Sequence, residues 1–231
     1  MTMITRTQKR SSVSTDLEAE LKKSVNGEVR FDEITRQMYS TDASLYRIEP
    51  VGVIIPRDQD DVQAVLEIAD KNKVSVLPRG GGTGLSGQTV NNSLVLDFSK
   101  YMYQVQEINP EEQWVRTQPG ITIDDLNRQI MHAGLFFTSD PSTSSRANIG
   151  GALGNNSCGA HSIVYGKTVD HILSMNVVLS DGSSTVFEQL APSVLESKLK
   201  SETLEGRIYN QVKDIAYRST VAVQKRYPKI L

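Results

Sequence analysis

The clearest chemistry in the sequence lies in nine consecutive residues, Arg79-Gly80-Gly81-Gly82-Thr83-Gly84-Leu85-Ser86-Gly87. A backbone without Cβ atoms turns through positive φ and points successive N–H groups into one concavity, an arrangement that suits the oxygens of a phosphate or pyrophosphate. Arg79 can add positive charge at the rim. A plain surface turn needs about two glycines, and each further one costs up to about 1 kcal/mol of chain entropy. A bound ligand offsets that cost.

The flanking residues separate the nucleotide sites that such a loop can serve. Gly82, Gly84 and Gly87 match the G-x-G-x-x-G spacing of a Rossmann dinucleotide site, but that fingerprint must open a helix whose N-terminus meets the pyrophosphate. Here Gln88 to Asn92 is short and polar and a strand is expected next, which disfavours that reading. A phosphate loop of the G-x-x-x-x-G-K-[ST] type needs Lys and then a hydroxyl residue after its last glycine. Gln88 and Thr89 stand there instead.

The elements that must carry this loop are legible on both sides. Val51 to Ile55 is a β-branched run closed by Pro56 and reads as a buried strand. Asp58 can cap a following helix, with Asp60 and Asp61 in its first turn and Val62, Val65, Leu66 and Ala69 along one face. A second strand, Val74 to Leu77, runs to Pro78 and the loop, so strand, helix and strand form a crossover. Ser93 to Asp97 and Trp114 to Gln118 read as further strands. Thr122 and Asp125 cap a helix carrying Leu126, Ile130 and Ala133, which Gly134 ends. The stretch Thr138 to Ser162, rich in Ser, Thr, Asn, Gly and Ala, reads as a long functional loop. Met175–Leu179 and Ser184–Phe187 flank Asp181 and Gly182 as a β-hairpin. From Pro192 the chain is charged and helical, with Leu204, Ile208, Val212 and Ile215 as one apolar stripe. Strands alternating with helices, followed by a hairpin, predict an α+β or mixed α/β fold.

Composition narrows the function classes. The 231 residues hold 25 Lys and Arg against 27 Asp and Glu, for a formal charge of -2, so no strong field attracts nucleic acid. Cys158 is the single cysteine; it cannot form an intramolecular disulfide, and no Cys/His spacing matches a metal or iron–sulfur site. A cytoplasmic setting follows, with no membrane-spanning run. Residues 1–15 read as a disordered arm or leader.

Two stretches together carry a family resemblance. Pro78-Arg79-Gly80-Gly81-Gly82-Thr83-Gly84-Leu85-Ser86-Gly87 resembles the pyrophosphate loop of the vanillyl-alcohol oxidase superfamily, in particular that of FAD-linked D-lactate, D-2-hydroxyglutarate and glycolate dehydrogenases. Ala147-Asn148-Ile149-Gly150-Gly151-Ala152-Leu153-Gly154-Asn155-Asn156-Ser157-Cys158-Gly159, then Tyr165-Gly166, then Asn176-Val177-Val178-Leu179-Ser180-Asp181-Gly182, is similar to the second FAD-binding stretch of those enzymes in order and spacing. The resemblance implies an α+β, two-lobed FAD-binding domain with its second lobe incomplete. Residues 16–105 would be a helical lead-in and first lobe, residues 106–190 the second lobe, and residues 191–231 a helical insertion. It further implies that Gly80, Gly81, Gly82, Thr83, Gly84 and Leu85 hold the pyrophosphate beside Arg79. Pro141, Ser142, Gly150, Gly151 and Asn155 would line the ribityl and flavin-ring side, and Val178 would lie near the adenine.

Many members carry a histidine where Thr83 stands, bonded covalently to the flavin, so FAD is expected here as a non-covalent cofactor. The implied activity is oxidation of a D-2-hydroxy acid by hydride transfer to flavin. The groups that bind and deprotonate the acid belong to a cap domain beyond the matched motifs, so no catalytic residue is assigned to this chain. The long helical insertion resembles larger members fused to an iron–sulfur segment, which implies that segment as electron acceptor and marks the chain as an N-terminal piece. The alternative is a non-catalytic flavin- or nucleotide-binding module that works with a partner chain.

The remaining candidates are single residues. His132 reads as a helix-end residue and His171 as structural. His161 closes the asparagine-rich stretch and either approaches the flavin or makes a hydrogen bond within its lobe. Cys158 reads as buried and inert, and Asp97, too close to the loop for a ribose-binding acid, reads as a turn residue.

Overall fold

Burial of a β-branched sheet between helices organises the first part of the chain. The computed structural model describes residues 5–228, which divide into two compact units at the His171–Ile172 boundary.

In the first unit, helix α1 (Thr5–Ser24) begins inside the segment expected to be a disordered arm; Met1 to Ile4 lie outside the described residues. Leu17 and Leu21, one turn apart and fully buried, dock α1 on the following elements. Once a helix is nucleated by such packing, extending it costs little per residue, which explains why a polar segment joins it. Strand β1 (Glu28–Arg30) and the short helix α2 (Glu33–Met38), capped by Asp32, complete the lead-in.

Strand β2 (Gly52–Ile55), helix α3 (Gln59–Asn72), strand β3 (Val76–Arg79) and strand β4 (Leu94–Asp97) form the crossover read from the sequence. Asp58 caps α3 by accepting the Asp61 N–H at 3.0 Å, and Lys73 ends the helix in a left-handed conformation. The sheet order is β1-β2-β4-β3, with β2, β4 and β3 parallel and β1 antiparallel to β2. β4 therefore inserts between the two crossover strands, and residues 80–93 are themselves the connection that carries the chain there. β3 runs through Pro78 to Arg79, further than expected. This is tolerated because β3 is an edge strand, where the N–H that proline lacks has no ladder partner to lose. β2 and β4 are buried along their whole length, as a parallel sheet covered on both faces requires.

A second cluster follows. Strand β5 (Val105–Asn109), which the pattern did not reveal, pairs antiparallel with β6 (Trp114–Thr117). Helix α4 (Ile123–Ile130) starts at Thr122, whose hydroxyl accepts the Asp125 N–H at 3.1 Å, and a 3-10 turn leads to Gly134 at φ 72°. The stretch expected to be one long loop, Thr138 to Ser162, contains helix α5 (Ile149–Asn155); helix α6 (Ser162–Tyr165) and a 3-10 turn, Thr168–His171, follow at its end. Its glycines and asparagines hid α5 because they are poor helix formers; the helix forms by burying Ile149 and Ala152 against Ile121, Ile123, Leu126 and Ile130.

The second unit holds the hairpin β7 (Ser174–Val178) and β8 (Ser184–Glu188), turned through Gly182 at φ 81°, then α7 (Pro192–Leu199) and α8 (Leu204–Arg226). The stripe expected along α8 continues past the packed first turns into solvent, with Val212 and Ile215 exposed. Among the described residues, no helix is long and apolar enough to cross a membrane.

Glu28 ties β1 to the chain beyond β4. Its carboxylate accepts from Lys100, from Arg30 and from the Tyr101 hydroxyl at 2.7 Å, and these bonds hold its pKa at about 2, below the ordinary 4.5. A depressed carboxyl stabilises the fold fully above pH 4.5, and that contribution is lost as pH falls toward 2. Glu28→Gln is expected to flatten the stability profile across that window while lowering stability at pH 7, as read from denaturant midpoints at several pH values.

Candidate functional site

The glycine-rich loop leaves the C-terminal end of β3 and is fixed in shape by the residue that starts it. The Arg79 guanidinium donates to the carbonyls of Tyr39 at 3.1 Å, Thr89 at 3.0 Å and Thr41 at 2.7 Å. It also lies over the Tyr39 ring, 5.2 Å from its centroid. Burial pushes its pKa down from the ordinary value, yet guanidinium remains charged in any such setting. The expectation that Arg79 adds charge at the rim is corrected: it bonds inward, because a chain turning this tightly leaves carbonyls without ladder partners that only a multi-donor group can satisfy together.

The lead-in segment clasps the loop from the other side, which nothing in the sequence pattern signalled. Ala43 N–H donates to the Gly82 carbonyl at 3.0 Å, the Thr89 hydroxyl donates to Asp42 at 2.7 Å, and the Tyr46 ring packs where a side chain on Gly87 would stand. Behind it, the Tyr39 hydroxyl donates to Asp97 at 2.5 Å; burial first, and the Asp97 carboxylate second, push the Tyr39 pKa far up. Asp97 also accepts the Ser99 N–H at 2.8 Å, the turn role expected of it.

Gly82 and Gly87 adopt φ of 63° and 76°, conformations that need glycine. No helix follows Gly87 before β4, so the Rossmann geometry is absent. None of the main-chain N–H groups from Gly80 to Leu85 donates to another described residue. A row of free N–H donors on a fixed turn is an anion cradle. The Thr83 side chain is half-buried within it, and Leu85 is exposed.

The second glycine stretch meets the first through Asn148 and Arg146. A Cβ on Gly80 would stand 2.5 Å from Asn148 Oδ1, and one on Gly81 only 2.2 Å from the Arg146 carbonyl oxygen. Asn148 is buried; its Nδ2 donates to the Gly120 carbonyl, while Oδ1 has no partner among the described residues. Main-chain bonds from Ile123 to Ala147, from Ile149 to Ile121 and from Gly150 to Pro119, at 2.9 to 3.1 Å, hold this second stretch against residues 119–123, which lead into α4. Further along, Gln88 folds over Gly84 and donates to Asn155 Oδ1 at 3.2 Å, linking the loop to the C-terminal end of α5.

The residues expected to line the ring side fall into different roles. Gly150 packs tightly on Pro119, whereas Gly151 and Gly154 have nothing within 4 Å of where a Cβ would stand, so one face of α5 is bare. Pro141 and Ser142 form a turn closed by Ser144 N–H donating to Pro141 O at 2.9 Å. Next to them Asp140 holds His161 twice, accepting its main-chain N–H at 3.2 Å and pairing with Nδ1 at 2.5 Å, and the histidine holds the Asp140 carboxyl below its usual range. Val178 lies half-buried in β7 of the second unit. His171 pairs with the Thr138 hydroxyl at 2.8 Å and the edge of Phe137. Cys158 is exposed, contrary to expectation, because Asn156 ends α5 in a left-handed turn that carries the next residues outward.

The same residues are matched when the chain is set against known proteins. Residues 50–187 match the family model of the FAD binding domain. The chain is 39% identical over 198 residues to D-2-hydroxyglutarate dehydrogenase of Escherichia coli K12, covering 84% of this chain and 19% of that protein. It is 38% identical over 163 residues to glycolate oxidase subunit GlcD of Bacillus subtilis, covering 68% of this chain and 34% of that one. It thus spans about a fifth to a third of the length of these relatives. Among solved structures it superposes on alkyldihydroxyacetonephosphate synthase with a TM-score of 0.69 at 23% identity, covering 77% of this chain and 38% of that one. For p-cresol methylhydroxylase the TM-score is 0.66 at 19% identity, covering 76% and 35%. At those identities the likeness is one of fold.

The close approach of the two stretches is testable without any ligand. Gly81→Ala would force a Cβ into the Arg146 carbonyl, and is expected to cost about 1–3 kcal/mol by overpacking, whereas Gly154→Ala, which points into open space, is expected to leave the thermal midpoint unchanged or raise it.

Proposed function

The chain belongs to the FAD binding domain family, and on that premise we propose that it is the FAD-binding region of a flavoprotein oxidoreductase that oxidises a D-2-hydroxy acid of the lactate, glycolate or 2-hydroxyglutarate type. The observation that carries the proposal is the fixed row of N–H donors from Gly80 to Leu85, without partners among the described residues and set beside Asn148 and Gln88, which lead to a helix with a bare glycine face. Those two features suit the two ends of a flavin dinucleotide: free N–H groups for pyrophosphate oxygens, and an empty face for a flat ring.

In this reading Gly80, Gly81, Gly82, Thr83, Gly84 and Leu85 bind the pyrophosphate through their main chain. Pro141, Ser142, Gly151 and Asn155 flank the ribityl chain and ring, and Gly150 sets the α5 backbone against Pro119. Arg79 acts by holding the loop in shape. FAD, when bound, supplies the hydride acceptor for the hydroxyl-bearing carbon. Thr83 has no nitrogen to bond to the flavin, so the cofactor is held non-covalently. We assign no catalytic residue to the chain. Substrate binding and proton removal fall to the remainder of a relative-length enzyme, with an iron–sulfur segment as electron acceptor.

Reconstitution tests this directly. The purified chain is expected to take up FAD and show flavin absorbance, to release all of it to the supernatant on acid precipitation, and to reduce no dye with D-2-hydroxyglutarate, D-lactate or glycolate. Flavin left in the acid pellet would sink the non-covalent assignment, and failure to take up FAD would sink the whole reading. Gly151→Leu is expected to keep the thermal midpoint and to weaken FAD uptake at least about tenfold, a loss of about 1.4 kcal/mol; uptake equal to the parent would remove Gly151 from the site.

A further inference from the structure

With Arg79 turned inward, the anion cradle lacks the cation that the sequence pattern assigned to it, and another arginine stands beside it. Arg146 follows the Pro141–Ser144 turn, and its main-chain N–H donates to the Thr143 carbonyl at 2.8 Å. Its own carbonyl presses on Gly81, at 2.2 Å from where a Cβ there would lie, so its position relative to the loop is set by backbone packing. Its side chain is exposed and makes no ion pair or hydrogen bond with any described residue.

Arg146 lines a cleft of about 380 Å³ together with Gly81, Ser99, Tyr103, Asn148 and Asp125. Gly81 belongs to the row of free N–H groups, and Ser99 and Tyr103 are hydroxyl-bearing residues of the lining. Asn148 lies at the wall, buried, with its Oδ1 unpartnered among the described residues. The one acid in that set, Asp125, is already engaged: it accepts from the Thr122 hydroxyl at 2.8 Å and from Arg128 at 2.5 Å. The charge left uncompensated in the cleft is therefore that of Arg146. A guanidinium presents paired donors that match phosphate oxygens two at a time, and the volume suits part of a dinucleotide.

We propose that Arg146 is the cation of the cradle and binds the phosphate-bearing part of FAD in the cleft beside Gly81. This deepens the FAD reading and rests on it. Arg79 shapes the loop; Arg146 supplies the charge that attracts and orients the pyrophosphate.

The test measures the affinity of the parent chain, Arg146→Gln and Arg146→Lys for FAD, for ADP as a flavin-free diphosphate and for riboflavin as a phosphate-free flavin, at low and high salt. Lys22→Gln, on α1, controls for net charge. Arg146→Gln is expected to weaken FAD and ADP about tenfold to a hundredfold, the range of a lost charge-assisted bond, and to reduce the salt dependence of both, while riboflavin binding and the thermal midpoint stay at parent values. Arg146→Lys is expected to recover part of the loss, and Lys22→Gln to match the parent. If the parent binds FAD and Arg146→Gln binds it equally well, or if riboflavin weakens as much as FAD does, the Arg146 assignment is overturned while the FAD reading stands. A parent chain that takes up neither FAD nor ADP overturns the FAD reading itself.

Discussion

The site depends on one half-buried cation bonding to main chain. The Arg79 guanidinium gathers the carbonyls of Tyr39, Thr41 and Thr89, which come from the lead-in segment and from the far end of the glycine-rich loop. A run of glycines has no side chains with which to hold its own shape, and its chain entropy works against any one conformation. Charge-assisted bonds to carbonyls are the strong end of the hydrogen-bond range, about 1.5–3 kcal/mol each. Three of them from one residue are enough to offset that entropy locally. The loop's unpartnered N–H groups are thus held in one conformation, so a ligand does not have to order them.

Once the loop is set, the second stretch is seated against it by contacts that only glycine allows. The glycines in these two segments serve three distinct ends. Gly80, Gly81 and Gly150 permit backbone and side-chain atoms to approach closer than a Cβ would tolerate. Gly82 and Gly87 turn the chain through positive φ. Gly151 and Gly154 leave space. The core cluster of Ile121, Ile123, Leu126, Ile130, Ile149 and Ala152 supplies the burial that holds α5 in place, so a helix of poor intrinsic propensity forms where the site needs one.

Much of the fold was legible because its signals are local. The β-branched run before Pro56, the Asp58 cap, the Thr122–Asp125 box and the Asp181-Gly182 turn each state their structure within a few residues. α5 was not legible, since tertiary burial overrides its composition, and β5 was not, since its exposed middle residues give no period-two alternation. In the site, the clasp by Tyr39, Ala43 and Tyr46 carries no motif, and the Gln88 bridge to Asn155 joins residues too far apart in sequence to be paired by inspection.

The sequence by itself determined which segments bear the chemistry. Glycine density at Gly80–Gly87 and at Gly150–Gly154 is a local property; Gln88 and Thr89 after the first run excluded a lysine-bearing phosphate loop, and the two motif stretches together carried the family resemblance. Tertiary structure alone decided what each residue within those segments does. The sequence pointed to Arg79 as the cation at the rim of the loop and carried no signal for Arg146. In the fold one bonds to three carbonyls and the other lines a cleft, because which carbonyls lack partners is set by distant segments meeting in space.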